Sequence, residues 1–438
     1  MSTLASKSTI KVDGEAIQVD SQLLFQRLTM AGKSNLEEAM KYELCTFPPA
    51  LFETKEMLNE PQKAAFADAL WSSVKNKDVV LPSPANYVVD GGALLHRNPW
   101  KIGTSFSTIL KSYSDSVSKK YGKPVVVFDG YGTSSTKDMA HRRRAKGKKG
   151  PTVSFTKEMN LTVAKDLFLS DQTNKQQFIE YLAQDLESAG CQVCHATADA
   201  DVLIVQKAVD SSELHDTILV GDDTDLLVLA LYHSKPSGHQ LYFAPAPKKN
   251  SKQRVWDINQ TKNDLSTFFC KHILFQHAIL GCDTTSRLFG IGKGAIVKKF
   301  KTNAALQQAA DVFDLVSFTP NDIESAGEKA LVAIYNGKKE ETLNTLRLTR
   351  YCEKVTKSLT QVEPRSLPPT SSAAKYHSHR VFLQICQWKS YECNLPPELW
   401  GWNFTDGEFY PTTTDLPPAP SDLLKVIHCN CTTDCSMA

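Results

Sequence analysis

Asp216-Thr-Ile-Leu-Val-Gly-Asp-Asp-Thr-Asp225 is the stretch on which the fold turns. Its first half is an apolar, β-branched run of the length of a strand buried on both faces, closed by Gly221. Its second half sets three carboxylates, Asp222, Asp223 and Asp225, within four residues. Charges so close repel strongly unless a cation lies among them, and an all-oxygen donor set suits Mg²⁺ or Mn²⁺ rather than zinc. Working outward, the same pattern of strand and then acid recurs. Asn86-Tyr-Val-Val runs into Asp90, and Lys123-Pro-Val-Val-Val-Phe runs into Asp129. Cys191-Gln-Val-Cys-His195 leads to Asp199-Ala-Asp201, which opens a helix. For that last pair the bland reading is helix-start chemistry, since the dipole favours anions there. Helical segments separate the runs. Short buried strands alternating with helices predict a three-layer α/β fold with a mostly parallel sheet, whose ligands gather where the acids stand, at the carboxyl ends of strands.

Composition frames this reading. With 438 residues, 41% hydrophobic and 22% charged, the chain has an ordinary globular make-up with room for two or three domains, or one large one with appendages. Fifty Lys+Arg against 48 Asp+Glu leave a formal charge of +2, so a polyanion must be met by local clustering. One cluster qualifies. Lys137 to Lys149 holds seven Lys/Arg and one Asp, seven minus one giving +6 in thirteen residues. Besides Lys137 it comprises Arg142, Arg143, Arg144, Lys146, Lys148 and Lys149. The run reads as a grip on nucleic acid; a nuclear-localisation signal or a solvated face would look the same. Eleven cysteines, odd in number and scattered, argue for a reducing compartment rather than a disulfide framework. No apolar stretch of signal-peptide length follows the first residues, and no run of about 18 apolar residues occurs. The expectation is a nuclear or cytoplasmic chain that is neither secreted nor membrane-spanning.

Four regions are predicted. Residues 1–80 form a mostly helical extension without a chemical motif, 81–300 the α/β core, 301–365 a helical continuation, and 366–438 an irregular segment. The last has Pro-rich joints, Trp388, Trp400 and Trp402, and the tail Cys429-Asn-Cys431-Thr-Thr-Asp-Cys435. Three thiols bind zinc only with a fourth ligand, His428 or a partner chain. Inside the core, Leu280-Gly-Cys-Asp283 is followed by Phe289-Gly-Ile-Gly-Lys-Gly-Ala-Ile296. Glycines ahead of a helix offer backbone N–H groups to phosphate, although most such triplets are only turns.

In chain order, then, come a strand-end Asp90, Val-Phe-Asp129-Gly, Asp199-Ala-Asp201, Asp223-Thr-Asp225, and Leu-Gly-Cys-Asp283 with Gly290-Ile-Gly-Lys-Gly294. Over roughly residues 86–300, about half the chain, this series resembles the structure-specific 5′ nucleases of the flap endonuclease/XPG group, in the PIN-like superfamily. The resemblance implies phosphodiester hydrolysis with two Mg²⁺ or Mn²⁺ ions held by Asp90, Asp129, Asp199, Asp201, Asp223, Asp225 and Asp283. It implies a helical arch over about 131–160, where Lys137 and Arg144 stand at the family's spacing for the residues that steer the scissile phosphate. It also implies a helix-two-turn-helix over about 280–300, where Gly290, Gly292, Lys293 and Gly294 meet nucleic acid with the help of K⁺, DNA being favoured over RNA. The sequence departs from the family in three ways. Asp stands for Glu at 199 and 201, residues 1–80 precede the first strand, and the C-terminal part lacks a sliding-clamp motif, which is closer to transposon-associated relatives.

Two rivals have a residue basis. Val127-Phe-Asp129-Gly-Tyr-Gly-Thr133 with Val220-Gly-Asp222-Asp-Thr-Asp225 also resembles haloacid dehalogenase-like phosphatases. There the second acid, and with it the general acid for the leaving group, is replaced by Tyr131, and Asp90, Asp199, Asp201 and Asp283 go unexplained. A catalytically silent PIN-like domain kept for binding or scaffolding predicts lost carboxylates, whereas all seven positions hold Asp.

Overall fold

A computed structural model of the chain describes residues 7–12, 15–31, 36–130, 135–145, 150–197, 199–236, 238–245, 253–314, 319–357, 361–389 and 395–424. Six short strands pair into one sheet: β1 (Asn86–Asp90), β2 (Val125–Phe128), β3 (Gln192–His195), β4 (Thr217–Val220), β5 (Leu241–Ala244) and β6 (Trp256–Asp257). Their order across the sheet is β6-β5-β4-β1-β2-β3, and every pair is parallel except β5 with β6. Period-two alternation splits the strands between two cores. Val88, Val127 and Leu219 enter one, while Val89, Val126 and Val220 enter the other. Burial on both faces is why β2, β4 and β5 read as continuous apolar runs. Helices Phe106–Tyr121 and Gln172–Ser188 cover one face, and Asp201–Ser212 and Thr224–His233 cover the other.

The chain leaves β1 for β2 and β3 on one side, then crosses to β4 and β5 on the other. This reversal opens a crevice at the carboxyl ends of β1 and β4, where α/β sheets bind their ligands. Register carries the acids there, since Val89 lies opposite both Val126 and Val220, and Asp90 opposite Val127.

Both flanks differ from the sequence expectation. The first 80 residues contain strands as well as helices: Lys7–Val12 pairs with Glu15–Asp20, and Phe52–Thr54 with Met57–Leu58. Helix Lys63–Trp71 sinks Phe66 and Leu70 into the main core. Residues 366–438, expected to be irregular, contain the 18-residue helix Ser371–Trp388, buried along most of its length. Its His377-Ser-His-Arg380 run is buried too, so no polar face marks the helical period in the letters. A hairpin, Trp402–Thr405 with Glu408–Pro411, follows it. Cys429, Cys431, Cys435 and His428 lie outside the described residues. Among the described residues no helix is long and apolar enough to cross a membrane.

Candidate metal centre

Each strand that ends in an acid hands its carboxylate to the start of a helix. Asp90 caps Gly91–Arg97 by accepting from the Ala93 N–H at 3.0 Å, and Asp223 caps Thr224–His233 by accepting from the Asp225 N–H at 3.0 Å. Asp129 reaches across to accept from the Ala200 N–H at 3.1 Å. Asp90 and Asp129 share one backbone recess, because a methyl group on Gly92 would lie 3.2 Å from Asp90 Oδ1 and 3.5 Å from Asp129 Oδ2. Burial pushes the Asp90 carboxyl up to about 7 against the pull of the Ala93 N–H, with the charges of Asp201, Asp129 and Asp223 adding to the rise.

On the β4 side, one oxygen from each of Asp223, Asp225 and Asp283 lies within 4.8 Å of the others. Between them sits an ammonium group. Lys63 Nζ is 3.0 Å from Asp223, 2.9 Å from Asp225 and 3.0 Å from Asp283. Asp225 is only 1% exposed and gives its second oxygen to His277 Nε2 at 2.7 Å. Burial alone would raise the Asp225 carboxyl, but Lys63 and His277 hold it well below the usual carboxylate range. Asp223 goes the other way, to about 6, through burial and the Asp225 charge, with Lys63 opposing. Burial would lower Lys63, but the three carboxylates raise it well above its ordinary value, so it stays charged.

On the β2 and β3 side a second lysine plays a similar part. Lys137 Nζ lies 2.5 Å from Asp199 and 2.8 Å from Asp201. Asp201 opens its helix, whose cap residue Ala200 makes no side-chain cap bond, so the helix-start reading of the acid pair leaves the ammonium contacts unexplained. Burial and the Asp201 charge push Asp199 up to about 7, with Lys137 opposing. The structure thus sets all seven predicted acids along one edge and brings Lys137 to them. The phosphatase reading gives a role to few of these acids.

The predicted nucleic-acid contacts separate. Arg142 bonds Glu408 and packs over the Tyr410 ring at 4.9 Å, and Arg143 bonds the Leu58 carbonyl, with Glu53 at 3.4 Å. Both therefore have partners in the body of the protein. The described part of the basic stretch is one helix, Asp138–Ala145, held down by buried Met139 and Ala140. Arg144 lies on it, its side chain outside the described set, and Lys146, Lys148 and Lys149 are outside the described residues. Lys293 is 3% exposed and donates to the Gly281 carbonyl at 2.7 Å, bracing the loop ahead of Asp283. Gly290, with φ +73, and Gly292 stay open, with no heavy atom within 4 Å of an added Cβ, while Gly294 backs onto Ala69.

Two residues of the site escaped sequence reading. Lys63 resembles any lysine on an amphipathic helix, and His277 any core histidine in an apolar run. Asp225, the partner they share, is 162 residues from Lys63 and 52 from His277 in sequence.

No protein-family model and no curated protein matches the chain. Among solved structures it is similar to the catalytic core of Rad2 in complex with DNA substrate, at 16% identity over 68% of this chain and 87% of that one, with a TM-score of 0.39. It is also similar to T5 5′-exonuclease with zinc bound, at 13% identity over 62% of this chain and 98% of that one, with a TM-score of 0.34.

Proposed function

We propose that the chain is a divalent-metal-dependent nuclease that hydrolyses phosphodiester bonds in DNA in preference to RNA. One observation carries the reading: seven carboxylates, six from the ends of four strands and Asp283 from the loop after helix Ile273–Ile279, meet at the switch point of the sheet and already gather two cations there. The residues fit a hard divalent ion, since the donors are all carboxylate oxygens and one trio lies within 4.8 Å. Asp223, Asp225 and Asp283 would hold an ion on the β4 side; Asp90, Asp129, Asp199 and Asp201 would hold one on the β2 and β3 side. Bound Mg²⁺ or Mn²⁺ would supply hydroxide at neutral pH and offset charge on the phosphate. Lys137, once released from Asp199 and Asp201, would orient the phosphate together with Arg144, two helical turns later. The open Gly290 and Gly292 backbone would take the duplex backbone, with K⁺ beside it.

The same contacts favour a second reading, a silent nucleic-acid-binding fold, because lysines fill both acidic groups and Arg142 and Arg143 are engaged. End-labelled 5′-flap, nicked and single-stranded DNA, with RNA counterparts, decide between the two. The nuclease reading expects cleavage with Mg²⁺ that stops with chelator. Binding without cleavage on every substrate supports the silent one.

A further inference from the structure

Lys63 is placed as no solvated lysine would be. It is the first residue of helix Lys63–Trp71, where the helix dipole disfavours a cation. Its Nζ nonetheless sits at 2.9 to 3.0 Å from three carboxylates, one for each of its three protons. The helix holds it there, because Phe66, one turn on, is fully buried and packs on His277 at 5.0 Å, and Leu70 is fully buried as well. Lys137 differs. It meets two carboxylates rather than three, and it lies in the turn ahead of helix Asp138–Ala145, not on the helix.

We propose that Lys63 is a built-in cation that takes the place of one metal ion: it permanently fills the Asp223, Asp225 and Asp283 group, so that the site binds a single divalent ion, on the side of Asp90, Asp129, Asp199 and Asp201. The inference rests on the metal-dependent reading above and changes its ion count from two to one. An ion at the centre of the trio would coincide with the ammonium, whose distances to all three acids are already those of direct contact. An ion on the other side has only to displace Lys137 from two oxygens. A lysine carries half the charge of Mg²⁺ and cannot generate hydroxide, so its part is to neutralise and order the three acids.

The test counts ions on the full chain with Mn²⁺ alone, by electron paramagnetic resonance of free Mn²⁺ and by calorimetry, for the wild type, Lys63→Met and Lys63→Gln. The expected result is one ion per chain in the wild type and two in either variant. Lys63→Gln, which keeps polar hydrogens but no charge, serves if Lys63→Met does not fold. Mn²⁺ should also raise the melting temperature of the variant more than that of the wild type, since it compensates three uncovered carboxylates. Two ions in the wild type, or one ion in wild type and variants alike, overturns the inference and leaves the nuclease reading standing. No ion in any of the proteins overturns both.

Discussion

Asp225 uses one oxygen on Lys63 and the other on His277, both contacts shielded from water. His277 is itself fixed, with Phe66 at 5.0 Å and Trp388 stacked at 5.6 Å. Burial holds the imidazole down, to about 4, so at neutral pH it is uncharged and donates from Nε2. Partners of this kind set the orientation of a ligand carboxylate, and losing one typically costs about 10–100-fold in metal affinity. We therefore expect that, in the Lys63→Gln background that frees the trio, His277→Leu weakens Mn²⁺ binding at Asp225 by about that factor and His277→Gln, which keeps a donor, by less. Calorimetry giving one affinity for all three proteins would show that Asp225 needs no such support. The acids themselves were legible because each adjoins its own strand or helix, so the signal is local. Lys63 and His277 were not, because their meaning comes only from partners that the fold brings near.

At the scale of elements, helix Ser371–Trp388 stands behind the loop that carries Asp283. His377 Nε2 bonds the Ile279 carbonyl at 3.0 Å, and Gln384 accepts from Thr284 at 2.5 Å. Helix Pro320–Ile334 crosses it so closely that a methyl group on Gly327 would lie 1.9 Å from Ser378 Oγ. Gly327→Ala should accordingly cost about 1–3 kcal/mol through overpacking, read as a lower melting temperature. His377 adds a pH signature. Burial and the Arg380 charge hold it down, to about 3, below an unfolded value near 6.5. The sign is that of a group that must stay neutral to remain buried, so its contribution is complete above pH ~6.5 and drains away as pH falls toward 3. At about 1.4 kcal/mol per unit this amounts to roughly 5 kcal/mol, and His377→Gln should flatten the acid side of the stability curve; an unchanged curve would place the acid sensitivity elsewhere. Four of the sheet's six strands were readable as short runs leading to an acid, whereas β5 and β6, which carry no site residue, were not. This helix was not, because four consecutive buried polar letters mask its apolar stripe.

On the scale of the whole molecule, the two flanks help to build the site. Lys63 and Phe66 come from the first 80 residues, Trp388 and Gln384 from the last 75, and the hairpins Phe52–Leu58 and Trp402–Pro411 hold the basic helix through Arg143 and Arg142. Since those two arginines already have protein partners, Arg142→Gln with Arg143→Gln should change the slope of log K against log[salt] for duplex DNA by less than about 0.9, the value of one phosphate contact. A change near twice that would mean that both arginines leave the body to meet phosphate. The claim beneath all of this is that the acid edge hydrolyses phosphodiesters through a bound metal ion, and the most direct measurement compares turnover of end-labelled DNA by the wild type and Asp201→Asn in Mg²⁺. Asp201→Asn keeps the shape of the side chain but gives up a charge beside Lys137. The account predicts cleavage by the wild type and at least about a 100-fold loss in the variant with DNA binding retained. Equal turnover in the two proteins, or none in the wild type on any substrate, would contradict it.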